Sequence, residues 1–198
     1  MKIIIIGATG TIGKHVVKAL EGQHEIVKVG SKSGDKQVDI TNIDSIKRLF
    51  ESVGSFDALV SASGGGQFSP LAQTTDKEFR IAVNNKLMGQ VNLVLIGQHH
   101  VNKGGSFTLT SGSMAKDPIV AGASVSTVNG ALNSFVKAAA IELENGVRIN
   151  SVSPTVVEDS PGYFPFFPGA VPVAMHRVAQ AYVKSVLGKQ TGQVYWVE

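Results

Sequence analysis

The sequence predicts an α/β fold: a doubly wound parallel sheet in three α/β/α layers, forming one domain over residues 1–198. Three observations predict it. Strand-like and helix-like segments alternate along the chain. The first strand is an unbroken run, Ile3-Ile-Ile-Ile6, as expected of a parallel strand buried on both faces. A glycine-rich turn follows that run and leads straight into a helix.

Taken in order, Ile3–Ile6 is the first strand. The turn is Gly7-Ala-Thr-Gly10-Thr-Ile-Gly13, and the helix is Lys14–Leu20, with Val16, Val17 and Leu20 on one face. Gly7 permits the tight turn, Gly10 lets backbone approach a pyrophosphate, and Gly13 lets helix pack on strand. Thr9, Thr11 and Ile12 complete the loop, and the helix N-terminus offers N–H groups and a positive dipole end to phosphates. This is the layout of a Rossmann-type dinucleotide site. Glu25–Val29 is a second strand, and a short third one precedes Asp39. Ser45–Ser52 is a helix, Ala58–Ser61 a strand, and Asp76–His99 a long, mostly helical segment with apolar residues recurring every fourth position from Phe79 to Leu95. Ser106–Thr110 is a strand, Ser124–Leu143 an alanine-rich helix, Arg148–Val152 a strand, Val173–Leu187 a helix and Gln193–Val197 a final strand. Ligands of such sheets sit beyond the C-terminal strand ends, where the glycine loops fall.

Composition narrows the function classes. Hydrophobic residues make up 43% of the chain and charged ones 17%, which predicts a globular core. The absence of cysteine excludes disulfides and thiolate metal sites. The net charge of +3 is spread over scattered lysines, so no nucleic-acid partner is expected. No apolar run reaches the roughly 18 residues of a membrane span. Gly7 and Gly10 interrupt the isoleucine run without a cleavage-site pattern, so a cytoplasmic protein without a membrane partner is expected.

The second strand ends at Val29-Gly30-Ser31-Lys32-Ser33. A carboxylate there would bind the adenosine ribose of NAD. Ser31, Lys32 and Ser33 instead offer hydroxyls and a cation, suited to a 2′-phosphate, and NADP is the expected cofactor ahead of NAD. Asp39, followed by Ile40, could accept a bond from the adenine amino group or serve locally at the start of the next helix, although Thr41 or Asn42 suits the cap better. Ser61-Ala62-Ser63-Gly64 opens a run of small residues with room for ribose and nicotinamide against the backbone.

These motifs, with the long helix, Ser106–Ser113, the alanine helix and Arg148-Ile-Asn-Ser-Val-Ser-Pro154, occur in an order that resembles the short-chain dehydrogenase/reductase family over nearly the whole chain. The resemblance implies NAD(P), hydride transfer to or from a small carbonyl or alcohol, and a homodimer or homotetramer built on the two long helices. It places Pro154, Thr155 and Val156 at the nicotinamide, with Thr155 where the family has glycine. The glycine turn is spaced more like the family's extended and atypical branches.

Four catalytic positions depart from the family. Val125 stands at the tyrosine, Asn129 at the lysine, Gly112 at the serine between Ser111 and Ser113, and Lys86 at the helix asparagine. Valine cannot exchange a proton. Lys86 and Asn129 read as an exchange of ammonium and amide between two helices that face one nicotinamide. Lys86, its pKa lowered by burial, would then act as proton donor or stabilise an alkoxide, and Ser111 or Ser113 would bond the carbonyl oxygen. The bland alternative has Lys86 reaching into solvent and Asn129 capping or packing. Of the tyrosines, Tyr182 and Tyr195 suit core or surface. Tyr163 opens a short lid, Gly162-Tyr-Phe-Pro-Phe-Phe-Pro-Gly169, whose Phe164, Pro165, Phe166, Phe167 and Pro168 would wall an apolar pocket or plug an interface. His99 and His100 are expected to end the long helix as structural residues, with no third metal ligand near. His176 and Arg177 belong to a surface helix. The leading expectation is an NADP-dependent oxidoreductase with a rearranged catalytic set. The alternatives are a non-catalytic NADP(H) sensor or scaffold, and an isomerase or lyase holding NADP structurally.

Overall fold

The computed structural model describes residues 1–198. Seven strands form one fully parallel sheet in the order β3-β2-β1-β4-β5-β6-β7. They are β1 Lys2–Ile6, β2 Glu25–Gly30, β3 Lys36–Gln37, β4 Phe56–Ser61, β5 Val101–Thr110, β6 Arg148–Pro154 and β7 Val194–Val197. The helices are α1 Gly13–Leu20, α2 Ile43–Val53, α3 Asp76–Ala82, α4 Met88–Gly97, α5 Ala123–Glu142 and α6 Met175–Leu187.

The isoleucine run serves both faces of the sheet. Ile3 and Ile5 point to a core with Val16, Val17 and Leu20 of α1 and Val178, Tyr182 and Val186 of α6. Ile4 and Ile6 point to a core with Ile46, Leu49 and Phe50 of α2, Leu93 and Val94 of α4, and Leu132 and Val136 of α5. Period-two alternation is absent from β1 because neither face meets water.

β1 pairs with both β2 and β4, so the order in which successive strands are added reverses at β1/β4 and the connections after these strands run to opposite sides. The two loops touch. Gly7 has φ +80°, and a side chain there would run into the carbonyl of Ala62. A Cβ at Gly13 would overlap the carbonyl of Gly7, which explains why α1 needs glycine at its first residue.

Two expectations need correction. The segment expected as one long helix is two: α3 and α4 are joined by a π-helical turn, Val83–Leu87, and α4 ends at Gly97. His99 and His100 therefore lie in the following turn, where the His100 ring stacks on Phe50 with centroids 5.3 Å apart. β5 begins at Val101, five residues ahead of the expected start, because Gly104 and Gly105 mask a strand whose pairing with β4 shifts register between Phe56 and Ala58. As expected, Asn42 rather than Asp39 caps α2, accepting from Ser45 N, and Asp39 Oδ1 accepts from Thr41 N and Oγ1 (2.9 and 2.7 Å). These bonds hold the Asp39 carboxyl below the usual range, first through the Thr41 hydroxyl, and leave Oδ2 free.

Candidate functional site

At the switch point the glycine loop, the end of β2 and the loop after β4 enclose a cleft of about 510 Å³. Gly7, Thr9, Gly10, Ser31, Lys32, Asp39, Ile40, Ser63 and Gly64 line it. The N–H groups of Thr9, Thr11 and Ile12 donate to no backbone carbonyl, so the loop presents unpaired donors ahead of α1. Lys32 takes part in none of the protein's ion pairs. Ser33 lies outside the lining and instead braces the loop, its Oγ 3.1 Å from Thr9 Oγ1. Ser61 is also outside: it is fully buried at the end of β4, with Oγ 3.0 Å from Ser63 Oγ and its carbonyl accepting from Thr110 Oγ1. Thr11 is exposed and lines no cavity wall. Asn85 was not anticipated. It lines this cleft, and its Oδ1 accepts from Gly65 N at 2.9 Å. A mid-helix asparagine doublet, Asn84-Asn85, was the available signal, because asparagine tends to leave the helical ladder for local bonds.

A second cavity of about 270 Å³ adjoins it, and Lys86, Ser111, Ser113 and Asn129 all line this space together with Ile12, Pro154, Thr155 and Val156. The four catalytic candidates, spread over more than forty residues of sequence, thus share one pocket with the residues assigned to the nicotinamide side. The π-helical turn carries Lys86 inward, a feature that recurs at functional sites. Lys86 is 9% exposed, and its Nζ donates to the Ser111 carbonyl at 2.8 Å. It does not reach into solvent. Burial pushes its pKa down to about 8, and no carboxylate lines the cavity to offset the loss of hydration. Gln90 stiffens the wall behind it, bonding Lys86 O, Thr110 O and Thr110 N.

Two polar atoms here have no protein partner although buried: Ser111 Oγ and Asn129 Oδ1, on residues 2% and 1% exposed. Leaving such groups unpaired costs about 1–3 kcal/mol each, so both are open to a ligand or an ordered water. The side chains at Val125 and Asn129 are closely fitted to neighbouring glycines. A Cβ at Gly112 would lie 2.8 Å from Asn129 Nδ2. A Cβ at Gly66 would lie 2.8 Å from Val125 Cγ2, so the loop after β4 occupies the space beside the valine. Tyr182 is fully buried under β5, its hydroxyl 2.6 Å from Thr110 Oγ1, and burial pushes its pKa up, so it takes no part in this cavity. Tyr163 and Phe167 of the lid do line it, as does Phe68, whose ring centroid is 6.0 Å from that of Tyr163. Phe164 lines neither this cavity nor its neighbour, whereas Pro165, Phe166 and Pro168 line the neighbouring cleft. No cluster of three metal-ligating side chains exists in the chain.

The sheet order, the glycine cradle at the switch point and the adjoining Lys86 cavity define the class: a Rossmann-type fold with a second cavity beside its glycine loop. Comparison with known proteins sharpens this. A family model described as enoyl-(acyl carrier protein) reductase matches residues 7–165, and the chain belongs to the short-chain dehydrogenase/reductase family of oxidoreductases. Hydroxynaphthalene reductase arp2 of Aspergillus fumigatus is 26% identical over 151 residues, covering 74% of this chain and 55% of that protein. Short-chain dehydrogenase/reductase ATR9 of Stachybotrys chlorohalonatus is 27% identical over 188 residues, covering 79% and 74%. The chain thus spans about half the length of the hydroxynaphthalene reductases it matches. Among solved structures, the protein lin1944 from Listeria innocua superposes over the full length of both chains with a TM-score of 0.98 at 52% identity. A small-chain dehydrogenase solved in complex with NADPH shares the fold, with a TM-score of 0.89 at 24% identity over 100% of this chain and 96% of that one. No helix is long and apolar enough to cross a membrane.

Proposed function

We propose that this protein is an NADP-dependent oxidoreductase that reduces a small carbonyl compound, or oxidises the matching alcohol, with Lys86 in place of the family's tyrosine and lysine. The observation that carries the proposal is the buried Lys86 ammonium in one cavity with Ser111, Ser113 and Asn129, next to the glycine-lined cleft. The cleft suits a dinucleotide phosphate on chemistry alone: unpaired loop N–H groups, a cation at Lys32 free of carboxylates, and the hydroxyl of Ser31. That a structural neighbour was solved with NADPH supports the same cofactor here.

A bound nicotinamide would supply the hydride, two electrons and a proton's mass, to the carbonyl carbon. This chain's residues do the rest. The glycine loop and the N-terminus of α1 would hold the pyrophosphate, Lys32 and Ser31 the 2′-phosphate, and Asp39 Oδ2 the adenine amino group. Asn129, its amide oxygen unpaired, would take a nicotinamide-ribose hydroxyl. Ser111 Oγ donates to the substrate oxygen. As the carbonyl π pair moves onto that oxygen, Lys86 Nζ–H stabilises the negative charge and releases a proton to it, leaving the neutral amine. A donor with pKa about 8 is suited to give and recover a proton near neutral pH. The exposed apolar residues Leu95 of α4 and Ile141 of α5 are consistent with subunit contacts through these helices.

A second reading, an NADP(H) sensor without chemistry, is favoured by Val125 alone, because no hydroxyl acid stands at the tyrosine position. Calorimetric titration with NADPH, NADP and NADH separates the readings from an architectural loop. NADPH should bind at least tenfold more tightly than NADH, and Lys32→Ala should remove most of that difference, as expected for loss of one charge-assisted phosphate contact. Equal affinities unaffected by Lys32→Ala would remove the phosphate site. Strong discrimination between NADPH and NADP with no turnover of any carbonyl would favour the sensor.

A further inference from the structure

The Lys86 cavity is not closed on the substrate side. A second cleft of about 440 Å³ lies against it, and the two share Ser113, Thr155 and Phe167. The second cleft is walled by the lid and by the loop before α5, with Pro118, Ile119, Pro165 and Phe166 among its lining and Asp117 its sole ionisable group. The loops around both openings are tied together. Ser69 N donates to Ala121 O at 3.0 Å, Ser124 Oγ donates to Gln67 O at 3.1 Å, and the Phe68 and Tyr163 rings meet. On the second cleft two large apolar side chains face water, Val120 at 88% and Phe166 at 53% exposed, and Val171, 79% exposed, follows Ala170 of its lining. A soluble surface does not gather such groups without use.

From this arrangement we infer that the substrate is a carbonyl compound with an extended apolar tail, and that Phe167 sets how far the tail can run. The inference rests on the redox reading above and names its substrate class. The reacting head occupies the smaller cavity beside Lys86 and Ser111. The tail passes Phe167 between Ser113 and Thr155, lies along the prolines and rings of the second cleft, and ends on its exposed apolar side chains. The two cavities share Ser113, Thr155 and Phe167, so a tail that outgrows the smaller cavity leaves past these residues. In the step itself the carbonyl carbon gains hydride from NADPH and its oxygen gains a proton. The products are the alcohol and NADP, and the tail undergoes no chemistry.

Two readouts test this, with wild type, Phe167→Ala and Phe167→Trp. The first is kcat/KM for straight-chain aldehydes from butanal to dodecanal. The second is calorimetric affinity for the corresponding alcohols in the presence of NADPH, a fully reduced pair that cannot react. In wild type both quantities should climb with chain length, by about fourfold per methylene where the tail enters apolar surroundings. Phe167→Trp should lower the ratio of long- to short-chain values at least tenfold, and Phe167→Ala should raise it. NADPH affinity, measured alongside, reports that each variant retains its fold. A flat series in wild type, or a ratio that Phe167→Trp leaves unmoved, overturns the inference. Alcohols that bind with the expected length dependence while no aldehyde turns over would uphold the tail cleft and overturn the redox reading.

Discussion

Replacing Lys86 by methionine should abolish turnover, by at least a thousandfold in kcat/KM, and should make the protein more stable. Loss of activity follows from the cavity: Lys86 is its one charged group, and no lining carboxylate or imidazole can take over the proton. The gain in stability follows from the sign of the pKa shift. Burial holds the folded-state pKa near 8, below the unfolded lysine value, so between pH 8 and about 10.4 the unfolded chain binds more protons than the folded one. Stability therefore rises with pH through that window, and below it the buried ammonium costs about 3 kcal/mol. Methionine fills a similar volume without that cost, although it leaves the Ser111 carbonyl without its partner, which returns about 1 kcal/mol. The expected result at pH 7 is an inactive protein with a Tm several degrees higher and a flatter stability profile from pH 8 to 10. Thermal melts of both proteins across this range check it. Unchanged turnover in Lys86→Met would sink the catalytic assignment.

Rebuilding the family's motif should fail. Val125→Tyr with Asn129→Lys restores the usual residue types on α5, yet the site has been refitted around their absence. Val125 is 7% exposed and faces Gly66, whose own Cβ position is already within 2.8 Å of the valine, so a tyrosine ring must push the loop after β4 away. Overpacking of this kind costs about 1–3 kcal/mol. A lysine at position 129 would place a second ammonium in the cavity that already buries Lys86, with no counter-charge. We expect a double variant with lower Tm and lower activity than wild type, measured by thermal melts and NADPH oxidation. Higher activity in the double variant would show that the Lys86 arrangement is a damaged family site rather than a different one.

The sequence discloses the fold more readily than the site. Short apolar runs mark the buried strands and 3.6-residue spacing marks the helices between them, whereas β3, the exposed pair Lys36-Gln37, leaves no such record. What it misplaces are boundaries set by hydrogen bonding rather than burial: the break of the long helix at Val83–Leu87, and the early part of β5, which carries the exposed residues Asn102 and Lys103. On the site, the departures at Gly112, Val125 and Asn129 are visible as letters. Their mutual fit is not, because the contacts of Gly112 with Asn129 and of Gly66 with Val125 join residues distant in sequence. Ser61 and Ser33 show a role that sequence alone does not separate from ligand contact. Small polar residues at strand ends look like ligand contacts, yet one is buried as a strand terminus and the other braces Thr9.

The central claim is that Lys86 is a buried, titratable amine facing the nicotinamide pocket. The most direct measurement is NMR titration of lysine ε-groups in isotopically labelled protein, with Lys86→Met assigning the resonance, in the absence and presence of NADPH. Lys86 should titrate near pH 8, below the usual lysine value, and its resonance should change when NADPH binds. A Lys86 that titrates at the usual lysine value and ignores NADPH would contradict the assignment.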